Sequence, residues 1–165
     1  MPHHLGPSTI PGLVSLAGVF YRAVESQHRA FALTGSRNAG RYSSPEQPTL
    51  YLSASPEGIE AAMIAHERPD TPPREVLAFE VQADRIFDLR DEHRCSAVGI
   101  NPAEAAAPWQ DIVAKGGEPP SWRVAERLRS LGANGLIDPS RKAPGLWHLV
   151  LFCWNQQNGP SLRLA

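Results

Sequence analysis

The sequence predicts an α+β fold, a mixed central sheet with flanking helices. Strand-like and helix-like runs follow one another without the regular strand–helix–strand alternation of a doubly wound sheet. The 16 prolines and 13 glycines in 165 residues favour many short elements with marked turns over long helices. The run LWHLVLFCW at 146–154 is apolar enough for the centre of a sheet.

Residues 1–11, with three prolines, read as a lead-in. Residues 19–24 read as a strand with Phe20 and Arg22 on one face and Val19 and Tyr21 on the other. A polar stretch at 25–40 ends in a Gly-rich loop, and 49–53 (TLYLS) is the second strand. Ser55 is a good N-cap and Pro56 suits the first position of a helix, on which Ile59, Ala62, Met63 and His66 share a face. RPDTPP at 68–73 stops that helix. Residues 75–81 alternate weakly as a strand, and 85–89 continue as an extended segment. Residues 103–115 are helical, with a break at Pro108, and GGEPP at 116–120 is a loop. Ser121 is expected to cap the helix WRVAERLRSLG, which Gly132 stops. Residues 136–137 make a very short strand, followed by an Asp138-Pro139-Ser140 turn, and SLRLA at 161–165 is an edge strand. No repeat or interdomain linker is visible, so residues 1–165 are expected to form one domain.

Composition narrows the function classes. With 16 basic and 17 acidic residues the net charge is −1, so no global attraction to nucleic acid is expected, although a local basic pocket is compatible with it. Cys95 and Cys153 lack metal or redox spacing, and Cys153, in an apolar run, is expected to be buried. No apolar run is long enough to span a membrane, and the N-terminus lacks a signal-peptide pattern. A cytoplasmic protein with no membrane contact is the expectation.

Chemistry-bearing residues are densest between Gly35 and His66. Gly35-x4-Gly40 matches half of a P-loop, but Arg41-Tyr42 stands where Lys-Ser/Thr is required and no helix follows. The spacing is not GxGxxG either, so P-loop and Rossmann readings are rejected. The bland reading is a surface loop. The functional one has the glycines admitting a ligand while Arg41 forks onto phosphate oxygens. Arg22, in an apolar strand, is either a snorkelling edge residue or an inward cation in need of an anion, such as a pyrophosphate. Tyr51 is either core or a platform for a ligand ring. Ser53 and Ser55 end a strand and open a helix, whose N-terminus is also an anion site. Glu57 and His66 complement the helix dipole, whereas Glu60 has no such structural reason. There is no HExxH, so no metal site is expected. A hydrolase pairing Ser140 or Ser53 with His66 or His148 has candidates but no GxSxG motif.

Read together, FYRA around Arg22, AGRYSSP around Arg41, TLYLSASPEG around Tyr51 and Ser55, LIDPSR around Ser140 and the closing WHLVLFCWN resemble the RES-domain family. These are toxins of bacterial RES–Xre toxin–antitoxin pairs, and the resemblance spans about residues 18–155. It implies a fold akin to the ADP-ribosyltransferases and NAD+ as substrate, without a metal. It also implies an Xre-like antitoxin that blocks the active site. Arg22, Arg41, Tyr42, Tyr51, Ser53, Ser55, His66 and Ser140 would then bind the dinucleotide. Arg41, Tyr51, Glu60 and Ser140 would take part in catalysis. One departure stands out: many members carry their glutamate eleven residues after the strand tyrosine, where this chain has Ala62. Glu60 lies two residues earlier, about 200° around a helix. The leading expectation is ADP-ribosyl transfer to a cellular protein. NAD+ cleavage by water or phosphate, and a catalytically weakened NAD-binding module, are the alternatives.

Overall fold

The computed structural model describes residues 12–64 and 68–165. The lead-in at 1–11 and His66 lie outside the described residues. Strand β1 (Leu13–Glu25) pairs antiparallel with β3 (Arg74–Asp88) from Leu13 opposite Phe87 to Glu25 opposite Arg74. β1 is longer than expected because Ser15, Ala17 and Gly18 carry no hydrophobic signal, and pairing with β3 decides their conformation. β3 is one strand where the sequence suggested two segments. Inward residues run Leu77, Phe79, Val81, Ala83 and then Ile86, so the alternation changes phase. Opposite Val14 and Leu16 the register slips, and Arg85 adopts φ 54°, the mark of a bulge that turns the strand without ending it.

The remaining strands are β2 (Leu50–Ser53), β4 (Gly135–Pro139), β5 (Trp147–Leu151) and β6 (Ser161–Leu164). The order β1-β2-β5-β4-β3, closed by the β1–β3 pair, makes a five-stranded barrel, and β6 adds to the edge of β3. Only β3–β4 is parallel. The sheet is therefore mixed, as expected, but it closes on itself. β5 is central, as its apolar run predicts, although it ends at Leu151 and not at Trp154. Beyond it the Trp154 indole donates to the Leu33 carbonyl at 2.8 Å. Gly135 has no alternative, since a Cβ there would lie 2.2 Å from the Val150 carbonyl oxygen.

Alternation along the strands separates two cores. Phe20, Val24, Leu52, Phe79, Ile137, Leu149 and Leu151 fill the barrel. Val150, Leu136, Phe87 and Tyr42 face outward and are covered by helices. The helices are α1 (Pro56–Ile64), α2 (Glu92–Ala97), α3 (Pro102–Ala106), α4 (Gln110–Ala114) and α5 (Pro120–Ser130). Ser55 caps α1, its Oγ accepting from the Gly58 amide at 3.3 Å. α3 and α4 are the two halves expected around Pro108. α2, six residues long and capped by Asp91, is too short to show periodicity in the sequence. Helix α5 buries Val124, Ala125 and Leu128, one stripe at helical spacing, and Gly132 at φ +86° ends its last turn. Ser121 is not its cap. Pro119 takes that place, and the buried Ser121 hydroxyl donates to the Arg41 carbonyl. Cys153 is only half-buried, whereas Cys95 is fully enclosed.

Leu149→Ala opens a cavity inside the barrel and is expected to cost about 2–5 kcal/mol. Val19→Ala, on the exposed outer face of β1, should change stability by less than about 0.5 kcal/mol. Urea denaturation of the two variants checks this, and equal losses would contradict the core assignment.

Candidate active site

β1 and β2 pair at a single register position, Tyr21 opposite Ser53. Beside this short seam opens a cleft of about 1120 Å³. Its walls come from β1, β2, β4 and β5, the loop before β2, the start of α4 and the turn after β4.

The loop before β2 is held at several points. The Gly40 amide donates to the Ser43 carbonyl at 2.8 Å, closing a tight turn around Arg41-Tyr42. The Trp122 indole donates to the Gly40 carbonyl at 2.8 Å. Gly40 is needed here, because a Cβ would sit 2.6 Å from the Tyr51 hydroxyl. That hydroxyl accepts from the Tyr42 amide at 3.1 Å and shares a hydrogen with Ser43 Oγ at 2.7 Å. Burial pushes the Tyr51 phenol above its ordinary pKa.

Tyr42 is enclosed, and its hydroxyl donates to Asp138 Oδ1 at 2.6 Å. Burial and then Asp138 raise its pKa, so the phenol stays protonated. Arg141 completes the cluster by donating to both Asp138 oxygens at 2.9 Å and to the Ala105 carbonyl at 3.2 Å. Burial works against the Arg141 charge, but its hydrogen bonds to Asp138 prevail and raise its pKa. Arg41 donates to the Ala105 and Ala107 carbonyls at 3.0 and 2.9 Å, at the end of α3. Burial, followed by the neighbouring Arg141, lowers the Arg41 pKa.

Arg22 lies on the same face of β1 as Phe20 and Val24, which fill the barrel. Its Nη1 donates to the Tyr51 carbonyl at 3.2 Å, where β1 and β2 have parted, while its Nε is buried without a partner. Burial lowers its pKa, and among the described residues no carboxylate is bonded to it. An unpartnered guanidinium nitrogen at a cleft wall is the strongest local sign of an anionic ligand. Around it stand Arg37, Arg41, Arg68, Arg74, Arg141 and Lys142. Asp111 and Asp138 are the carboxylates in the wall among the described residues, and Asp138 is engaged by Arg141 and Tyr42. A near-neutral chain thus concentrates positive charge in one cleft.

Of the residues singled out by sequence, Arg22, Arg41, Tyr42, Tyr51, Ser53 and Ser140 share this wall. Ser53 Oγ lies 2.8 Å from His148 Nδ1, and Ser140 Oγ accepts from the Ala143 amide at 3.2 Å. Ser55 caps α1 and is not in the wall. Glu60 is exposed on α1 and does not line the cleft. Sequence reasoning took Asp138 for a turn residue and did not single out Arg141. An Asp at the end of an apolar pair with Arg three residues on was the available signal. Among the described residues no group of three or more His, Cys, Asp or Glu gathers as metal ligands.

Fold and cleft together define a closed mixed-sheet protein with a basic, aromatic-lined pocket. Residues 19–163 match the model of the RES domain. The chain belongs to the RES-domain family. No curated protein matches it. Among solved structures it is similar to a chain of the M. tuberculosis MbcT–MbcA toxin–antitoxin complex. The TM-score is 0.62 at 16% identity, covering 93% of this chain and 84% of the other.

Asp138→Ala leaves the Tyr42 hydroxyl and a partly exposed Arg141 without their acceptor, and should lower stability by about 1–3 kcal/mol. Tyr42→Phe should cost about 0.5–1.5 kcal/mol. In a double-mutant cycle by urea denaturation the two effects should be clearly non-additive, and simple additivity would contradict the shared hydrogen bond.

Proposed function

We propose that this chain is the toxin of a toxin–antitoxin pair and acts on NAD+ as an ADP-ribosyltransferase of a cellular protein. The observation that carries this reading is Arg22, a cleft-lining residue with a buried, unpartnered Nε in a wall rich in cations, in a member of the RES-domain family. A dinucleotide joins a pyrophosphate to two ring systems, and the cleft offers guanidinium groups beside aromatic walls. Arg22 and Arg41 would hold the pyrophosphate or its flanking ribose. Tyr51, whose hydroxyl is committed to the loop, would pack on the nicotinamide side, with the enclosed Tyr42 fixed behind it by its bond to Asp138. Ser140, on the turn beside Arg141, would hydrogen-bond a ribose. NAD+ is the substrate in this reading and no metal takes part. The closed mixed sheet with its cleft at a strand seam supports kinship with the ADP-ribosyltransferase fold.

Cleavage of the nicotinamide bond builds positive charge on the ribose, which a carboxylate would stabilise. Glu60, the leading candidate from sequence, points away from this role by its exposed position on α1. That supports a second reading, an NAD-binding module with weak or no turnover. The MbcT–MbcA complex is a toxin with its antitoxin. By analogy the partner here is an Xre-like antitoxin that covers the cleft, in the bacterial cytoplasm.

Incubation with NAD+ should release nicotinamide. Labelled NAD+ in cell lysate should leave the label on a protein band, whereas label only on free ADP-ribose would mean degradation. No release, with or without lysate, overturns the enzymatic reading, and tight binding without release supports the module. Arg41→Ala is expected to relieve growth inhibition on expression and to lower nicotinamide release at least about tenfold. Full toxicity of a folded Arg41→Ala would argue against this cleft.

A further inference from the structure

One row of residues runs straight across three strands. Ser53 stands opposite His148 in the β2–β5 pair, and Asp138 stands opposite His148 in the β5–β4 pair. Directly opposed residues project to the same side of a sheet. All three line the cleft. Ser53 is 3% exposed and lies beneath the first turn of α1, where a Cβ on Gly58 would come within 3.4 Å of it. A hydroxyl so covered is better placed to orient a neighbour than to attack a ligand. Its neighbour is His148 Nδ1, at 2.8 Å. In the tautomer that donates Nδ1–H to the Ser53 hydroxyl, Nε2 carries the free lone pair and can accept a proton.

The other polar groups of the described wall are charged donors, engaged elsewhere or exposed. The arginines and Lys142 are cations. Tyr42 and Tyr51 are held as neutral phenols by burial. Asp138 is bonded by Arg141 and Tyr42, and Asp111 sits on the exposed side of α4.

We infer that His148 is the proton acceptor of this cleft, oriented by Ser53, and that the ADP-ribose acceptor is a hydroxyl group, of water or of an alcohol side chain. The inference rests on the NAD+ reading above. In the step concerned, the bond between ribose C1′ and the nicotinamide nitrogen breaks, and its electron pair leaves with nicotinamide. The acceptor oxygen bonds to C1′, and its proton passes to His148 Nε2 and on to solvent. Phosphate is already an oxyanion at neutral pH and needs no such transfer.

Burial is the largest influence on His148 and lowers its pKa below the ordinary 6.5; Asp138 opposes this and Arg141 adds to it. β2 presents only the neutral Ser53 hydroxyl, and Glu57 and Glu60 of α1 are exposed. His148 is therefore neutral and able to accept at pH 7. The rate should fall as pH drops through its lowered pKa.

The test is nicotinamide release by wild type, His148→Gln and Ser53→Ala from about pH 5 to 8, in water and with inorganic phosphate. Calorimetric titration with ADP-ribose runs alongside. His148→Gln should lower kcat about 10²-fold, keep KM and ADP-ribose affinity, and abolish the acid limb. Ser53→Ala should shift that limb and lower kcat with KM unchanged, which keeps the inference testable if His148→Gln folds poorly. Label mapped by mass spectrometry to a Ser, Thr or Tyr oxygen of a lysate protein identifies an alcohol side chain as acceptor, free ADP-ribose identifies water, and label on Arg, Lys, Asp, Glu or Cys overturns the hydroxyl acceptor. An active wild type with an unchanged kcat and acid limb in the variants overturns this inference alone. Loss of ADP-ribose affinity in folded His148→Gln also overturns it, as does phosphorolysis outrunning hydrolysis in wild type. A wild type that binds but never releases nicotinamide overturns it together with the enzymatic reading.

Discussion

Asp138 joins parts of the chain that are remote in sequence. Through Oδ1 it holds the hydroxyl of Tyr42, 96 residues away, and through both oxygens it holds Arg141, which in turn reaches the Ala105 carbonyl. The carboxylate itself is 5% exposed. Hydrogen bonds to a charged group contribute about 1.5–3 kcal/mol net, and leaving such a group unsatisfied costs at least as much. The cluster therefore fixes where the Arg41-Tyr42 turn meets the end of α3 and the turn carrying Ser140. Without it the two turns would have no common anchor on the barrel.

Charge in the cleft follows from that arrangement. Asp138 is engaged by its own partners, which leaves the exposed Asp111 as the other carboxylate among the many cations of the described wall. Arg22 is the extreme case, because its Nε is shut away from solvent without an acceptor. A buried guanidinium without a counter-ion is a weak source of stability. Its position makes sense as a contact completed by an anion.

Much of the strand content was legible. Alternation around Phe20, the run at Leu149–Leu151 and the Ser55-Pro56 helix start are local signals, and the structure follows them. Barrel closure was not legible, since it depends on β1 pairing with both β2 and β3 over long sequence separations. The bulge at Arg85 hid the continuity of β3 by shifting the phase of its inward residues. Arg22, Arg41, Tyr42, Tyr51, Ser53 and Ser140 were recognisable as polar or aromatic residues in unusual settings. Asp138 and His148 gain their significance only from the registers of β4 and β5, which no local pattern encodes. Ser121 shows the reverse failure: a residue type suited to a cap is buried instead, bonded to the Arg41 carbonyl.

On the proposed function, this cleft receives a pyrophosphate. Calorimetric titration of ADP-ribose into wild type and Arg22→Met tests it most directly, with adenosine as the ligand that lacks phosphate. ADP-ribose should bind wild type and lose at least about tenfold in affinity for Arg22→Met, while the variant unfolds within about 1 kcal/mol of wild type. Equal ADP-ribose affinity for the two proteins, or adenosine binding as tightly as ADP-ribose, would contradict the account.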